Sequence, residues 1–254
     1  ILQFDRQGHI KYPQLLGGEA LQRFQRAVEE EISGKMLEEV KHIMRVLGED
    51  SEDDRIKEEA LRCEDAEEGL VLLQRWCEEK CIEVPFLQGF NLHWGTSKAA
   101  AVIRALSLSE WMGKATAQLL GVDSVRLYQT SSFFKRPSHG ETTWHTDLNT
   151  APLDTNGMVT CWIALSPVLD EDHSPLLFAS GSHRDFALPY WLYTCKGMQT
   201  SSDRRYPRAC HAPLLPGDAT FHHGWILHGA PPNFSGKTRK AFALTYIAED
   251  AKLL

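Results

Sequence analysis

Val125-Arg126-Leu127-Tyr128-Gln129-Thr130-Ser131-Ser132-Phe133-Phe134 marks the point at which the chain changes texture. The run is rich in β-branched, aromatic and small hydroxyl residues and reads as a strand. Downstream, Val159 to Leu165, Leu176 to Phe178, Ala219 to His222 and Ala241 to Ile247 are short and strand-like in the same way. Pro216-Gly217 supplies the proline and glycine of a type II turn leading into one of them. Many short strands with turns between them describe a barrel or jelly roll.

Upstream of Gly121 the periodicity is helical. After Phe4-Asp5-Arg6-Gln7-Gly8, read as a short extended lead-in, Leu21, Phe24, Val28 and Ile32 follow helical spacing. Leu37, Val40, Met44 and Leu47 continue it past Gly34. A further helix is expected from Asp54 to Lys80, with its apolar face around Leu70, Leu73 and Trp76. Ser107-x-x-Glu110 carries a capping-box signature. It opens a helix expected to dock Leu108, Trp111, Ala115 and Leu119 onto the core and to stop at Gly121. The predicted architecture is α+β, a single domain over 1–254. A mainly helical support region, 1–121, precedes a mainly β core, 122–254, whose far face packs against the helices.

A chain of 254 residues can bury a sizeable core, and 43% hydrophobic with 24% charged residues is ordinary globular composition. No stretch is apolar for long enough to span a membrane. The net charge of −7 is concentrated locally, since Glu49 to Glu68 holds eleven acids against three bases. Such a run reads as a solvated helix face or connector. No basic cluster suggests a nucleic-acid footprint, and no feature specifies an oligomer. The six cysteines lack the paired spacing of a zinc site and read as reduced thiols of an intracellular protein, cytoplasmic or organellar. The chain starts at Ile1 without an initiator methionine and is read as a fragment, from which any targeting segment could have been removed.

Thr143, His145, Asp147 and Asn149 alternate along an expected strand and would share one face. Two imidazoles and one carboxylate form the non-haem Fe(II) facial triad, which leaves three metal positions open. The one-residue gap in His145-x-Asp147 suits a strand, because adjacent residues would point to opposite faces. The motif alone is weak in a chain of eleven histidines, where His183-x-Asp185 and His139-x-Glu141 occur as look-alikes. A third ligand has three candidates in one stretch, His222, His223 and His228.

At this stretch the chain resembles the phytanoyl-CoA dioxygenase family of Fe(II)/2-oxoglutarate oxygenases. Family members carry a WHxD strand, a Gly-Asp turn, a histidine in an H-G-S/A-x-x-N-x-S context, and an arginine about eleven residues on. Here these are Trp144-His145-Thr146-Asp147, Gly217-Asp218, His228-Gly229-Ala230 with Asn233 and Ser235, and Arg239. Phe4 to Leu16, Leu127 to Lys135, Trp162-Ile163-Ala164-Leu165 and Ala179 to Arg184 are also similar, while the acidic helical segment and 194–211 match poorly.

The resemblance implies a double-stranded β-helix (jelly-roll, cupin-like) core with N-terminal helices packed on it. It implies His145, Asp147 and His228 as iron ligands, with Fe(II), 2-oxoglutarate and O2 as cofactor and co-substrates. Arg239 would grip the far carboxylate of 2-oxoglutarate, for which a guanidinium offers a planar two-point fork. Trp162, Gln129, Thr160 and Ser235 are further co-substrate candidates, and Ser131, Phe133, Lys135, Asn149 and Arg184 substrate candidates. His222 and His223 are read as structural, and His183 as structural or as pocket rim. Relatives often carry serine where this chain has Ala230; either the loss of that hydroxyl weakens co-substrate binding, or Thr160 or Ser235 compensates.

The expected reaction is hydroxylation of a small organic molecule with release of succinate and CO2. Halogenation is disfavoured because Asp147 fills the position that halogenating relatives leave to halide. Lys196, Arg204, Arg205 and Arg208, between Thr194 and His211, suggest a lid that attracts an anionic substrate. Desaturation, ring closure or epimerisation on the same iron would use the same triad, and a non-catalytic cupin-like binding module is the competing class.

Overall fold

In a computed structural model, residues 1–49, 58–59, 62–81, 88–137, 139–185 and 206–254 are described. The residues 54–57, 60 and 61 of the expected acidic helix, Cys195, and Lys196, Arg204 and Arg205 of the expected lid lie outside them.

Among the described residues, four longer helices come first. Helix α1, Leu2–Gln7, is a short exception to the predicted extended lead-in: Phe4 is buried and Gly8 N–H closes the last turn on Phe4 O at 2.7 Å. Strand β1, His9–Tyr12, follows. Helix α2, Gly18–Glu49, runs unbroken through Gly34, burying Phe24, Val28, Ile32, Met36, Val40 and Met44 at four-residue spacing. A mid-helix glycine costs about 1 kcal/mol relative to alanine, and this continuous apolar stripe offsets it. Helix α3, Ala66–Glu79, is capped by Asp65, whose carboxylate accepts from Glu68 N–H at 2.8 Å, and it buries Leu73, Trp76 and Cys77. Strand β2, Gln88–Phe90, leads to helices α4, Lys98–Ser107, and α5, Glu110–Leu120.

Two expectations at α5 need correction. Its cap is Ser109, whose hydroxyl accepts from Met112 N–H, while Ser107 closes α4 and donates to Ile103 O at 2.8 Å. The buried face is Met112, Thr116 and Ala117, whereas Leu108 and Trp111 are 61% and 46% exposed. Trp111 meets Tyr12 edge-on at 5.5 Å instead of entering the core.

After Gly121 the described residues hold the strands β3 Val125–Lys135, β4 Thr142–His145, β5 Met158–Ala164, β6 Leu177–Ala179, β7 Arg208–Cys210, β8 Ala219–His223, β9 His228–Ala230 and β10 Arg239–Ala248. They form two antiparallel sheets, of order β1-β8-β5-β10-β3-β2 and β4-β9-β6-β7, the two layers of a jelly roll. Strands β1 and β2 join the larger sheet from the N-terminal half. The Leu215–Asp218 turn before β8 places Gly217 at φ +92°, as a type II turn requires, and Asp218 N–H reaches Leu215 O at 2.9 Å.

Period-2 alternation gives the larger sheet two faces. Val159, Cys161, Ile163, Ala219, Phe221, Phe242, Leu244 and Tyr246 pack against the helices in one apolar core. Their neighbours Thr160, Trp162, His222, Arg239, Ala243 and Thr245 line a cavity on the other side. No helix among the described residues is long and apolar enough to cross a membrane.

Candidate active site

Strand β4 ends at His145, and β9 begins at His228; the two residues are direct cross-strand partners. Gly229 makes this close pairing possible, since a Cβ there would stand 2.8 Å from Thr142 O. Asp147 does not continue the strand, which corrects the predicted alternation. Thr146 is the last extended residue, and Asp147–Thr150 form a 3-10 turn tied down by Leu148 N–H to Gly224 O at 3.0 Å and Thr150 Oγ1 to Asp147 O at 2.9 Å. The turn carries Asn149 outward, where it is exposed and outside the cavity lining.

The three side chains nevertheless converge. Asp147 Oδ1 lies 3.8 Å from His145 Nε2 and 3.6 Å from His228 Nε2. One ligand atom from each residue falls within 4.8 Å of the others, the only such group among the described residues. Both imidazoles are oriented the same way: His145 Nδ1 contacts Thr143 O at 2.7 Å and His228 Nδ1 contacts Ile226 O at 3.1 Å. A ring that donates Nδ1–H to a carbonyl keeps its Nε2 lone pair for a metal. Burial, then the neighbouring His145, pushes His228 down to about 3, so its ring is neutral at neutral pH. Burial opposes ionisation of Asp147, yet His228, His222 and His145 hold its carboxyl well below the usual range. These are the protonation states that metal ligation needs.

The triad opens on a cavity of about 380 Å3 between the two sheets, a small-molecule scale. Arg239, 3% exposed, lines its far side. Its Nη1 donates to Ser174 O at 2.8 Å, and its guanidinium sits 5.4 Å from the Trp162 ring centre. Its Nε is buried without a partner, and among the described residues no carboxylate pairs with it. Burial pushes the group down to about 10, which leaves it cationic at neutral pH. A buried cation with an unsatisfied donor is costly unless an anion completes it. Ser174 holds its carbonyl toward Arg239 from a left-handed backbone, φ +55°, which costs about 1–3 kcal/mol for a residue with a side chain.

Gln129, Ser131, Phe133, Thr160 and Trp162 all line this cavity, which resolves the inward face of β3. Thr160 Oγ1 is committed to Asp147 Oδ2 at 2.8 Å and Thr245 Oγ1 at 3.1 Å. Lys135 is fully buried behind the lining; its Nζ donates to Pro231 O at 2.7 Å and stands 3.5 Å from Thr142 Oγ1. Two candidates fall elsewhere. Ser235 donates to Asn233 Oδ1 at 2.8 Å within the β9–β10 loop, and Arg184 is exposed beside a separate surface cavity. Neither Thr160 nor Ser235 therefore stands free to replace the serine missing at Ala230; the hydroxyl opposite Ala230 is the cavity-lining Thr142.

His222, expected to be structural, takes the inward direction that the alternation of Thr220 and His222 against Ala219 and Phe221 sets along β8. It lines the cavity, with Nε2 3.3 Å from Asp147 Oδ2. His223 faces away and accepts Trp225 N–H at 3.0 Å.

A jelly roll bearing a His-Asp-His cluster, with a buried arginine whose Nε has no partner in the same cavity, suits the class of iron- and 2-oxoglutarate-dependent oxygenases. The phytanoyl-CoA dioxygenase (PhyH) family matches residues 4–241, and the chain belongs to that family. It is an oxidoreductase, and Fe(II), 2-oxoglutarate and O2 are the cofactor and co-substrates of its class. No curated protein sequence matches it significantly. Among solved structures, the α-ketoglutarate-dependent carbocyclase SnoK from nogalamycin biosynthesis is 20% identical with a TM-score of 0.65, over 99% of this chain and 84% of that one. EctD from S. alaskensis, solved with 2-oxoglutarate and 5-hydroxyectoine, is 18% identical with a TM-score of 0.66, over 100% and 76%. The epimerase SnoN is 16% identical with a TM-score of 0.62, over 99% and 82%.

Proposed function

We propose that this chain hydroxylates a C–H bond of a small organic molecule, with His145, Asp147 and His228 holding the iron and Arg239 the far carboxylate of 2-oxoglutarate. The observation that carries the reading is the unpartnered Nε of buried Arg239 in the same cavity as the triad. When bound, Fe(II) with 2-oxoglutarate and O2 supplies the oxidant: substrate R–H, 2-oxoglutarate and O2 become R–OH, succinate and CO2.

The protein's own groups do the positioning. The backbone bonds from Nδ1 of His145 and His228 fix their rings with Nε2 toward the metal position. Arg239 offers a guanidinium already desolvated and braced by Ser174 O, so binding a carboxylate there sacrifices little side-chain entropy. Trp162 flattens one wall against it, and Gln129, Ser131 and Phe133 supply a polar and aromatic wall for co-substrate and substrate. The presence of Asp147 supports C–H hydroxylation over halogenation. Among the described residues Arg239 is the only guanidinium or ammonium group in the lining; of the four basic residues expected to attract an anionic substrate, Arg208 is exposed over the Trp144 ring and outside the lining, and Lys196, Arg204 and Arg205 lie outside the described residues. We further read the chain as one domain acting inside the cell, a setting in keeping with the free Cys63, Cys77, Cys81, Cys161 and Cys210.

Succinate release from 2-oxoglutarate, followed with Fe(II) and a panel of small metabolites, tests this. Wild-type protein should form succinate and a product heavier by one oxygen atom, and His145→Ala or Asp147→Ala should form none. Retained turnover in either variant would sink the ligand assignment; a dehydrogenated, cyclised or epimerised product would replace hydroxylation with another outcome at the same triad.

A further inference from the structure

The Asp147 carboxylate is divided between two environments. Oδ1 faces the Nε2 atoms of His145 and His228. Oδ2 faces the larger sheet, where Thr160 Oγ1 donates to it at 2.8 Å and His222 Nε2 stands 3.3 Å away. Thr160 and His222 are cross-strand partners on β5 and β8, so one pair of strands delivers both groups to the same oxygen. His222 is 2% exposed, and neither of its ring nitrogens has a partner in full hydrogen-bond geometry. Its ring is held between His228, at 4.5 Å between centres, and Phe178, at 5.6 Å. It stays outside the group of three whose ligand atoms mutually converge.

We propose that His222 is a positioning residue: its Nε2–H, together with the Thr160 hydroxyl, holds Asp147 Oδ2 so that only Oδ1 is offered to the metal. This inference rests on the triad reading above. The physical reason is rotation about the Asp147 side-chain bonds. A carboxylate free to turn presents both oxygens to a cation and fills a coordination position that the co-substrates need. Two donors on one oxygen remove that freedom. A buried imidazole left without a partner would otherwise carry an uncompensated desolvation cost, and the carboxylate relieves it.

The test uses Co(II), a probe stable to air, on the full chain. Its affinity is measured by titration calorimetry and its coordination by visible absorption, for wild type, His222→Phe, His222→Gln and His145→Ala. His222→Phe keeps a flat ring but no donor and should weaken Co(II) binding roughly 10- to 100-fold and alter the band pattern. His222→Gln, which retains an N–H donor, should recover most of both. Wild-type affinity and spectrum in His222→Phe would overturn the proposal. Should that variant fold poorly, nitrogen NMR of the imidazoles in wild-type protein loaded with Zn(II) decides: a protonated Nε2 on His222 is expected, and a proton on Nδ1 alone overturns it. Wild-type protein that binds no Co(II), or binds as well after His145→Ala, would instead remove the triad reading, and this inference with it.

Discussion

The two faces of the six-stranded sheet are made from alternate residues of the same strands, yet they follow opposite chemistry. Toward the helices, β10 sends Phe242, Leu244 and Tyr246, and β5 sends Val159, Cys161 and Ile163. On that side Tyr246 Oη donates to Ser107 O at 2.7 Å, and burial pushes the Cys161 thiol far above its usual range, leaving it inert. Toward the cavity the same strands present Arg239, Ala243, Thr245, Thr160 and Trp162. There, small residues leave space and a buried cation keeps an unpaired N–H. Stability is concentrated on one face so that the other can hold groups that cost stability until a ligand completes them.

The most forceful way to break this division is on the helix side. Phe242 is fully buried and meets Phe24 edge-to-face at 5.3 Å. Phe242→Ala should lower unfolding free energy by about 3–5 kcal/mol in denaturant titrations while leaving Co(II) affinity in the cold unchanged. A parallel fall in metal affinity would mean the faces are not separable. Arg239→Met sharpens the contrast from the cavity side. Loss of a charge-assisted carboxylate contact worth about 1.5–3 kcal/mol should raise the KM for 2-oxoglutarate roughly 10- to 100-fold. Thermal stability without co-substrate should hold or rise, because an unpaired buried charge is removed; a large drop would assign Arg239 a structural role instead.

A further test concerns Lys135. Burial, and then the charge of Arg239, lower it from 10.5 to about 7, while Glu141 pulls the other way. Between those values the unfolded chain binds the extra proton, so stability should rise with pH across that window. Lys135→Met should flatten that rise in melting curves recorded from pH 6.5 to 10. Parallel curves for the two proteins would contradict it.

Much of this arrangement was legible in the sequence because period-2 alternation and a fixed spacing are both local signals. The strand from Val125, the pair His145 and Asp147, and Arg239 beyond His228 could be read that way. What escaped depended on contacts between distant segments. Asp147 leaves the strand because Gly224 O captures Leu148 N–H, a partner 76 residues on. Phe4 is helical because the jelly roll gives it a buried seat, and Ser235 is consumed by Asn233 within its own loop. His222 is a different case: its inward direction followed from the alternation of β8, but two adjacent histidines obscured which one faced the cavity.

The central claim is that triad and arginine form one site for iron and 2-oxoglutarate. Adding 2-oxoglutarate to the Fe(II)-loaded protein without oxygen tests it most directly. A new visible charge-transfer band should appear, should require a higher 2-oxoglutarate concentration in Arg239→Met, and should vanish in His145→Ala. No band from the wild-type protein, or an equal band from His145→Ala, would contradict the account.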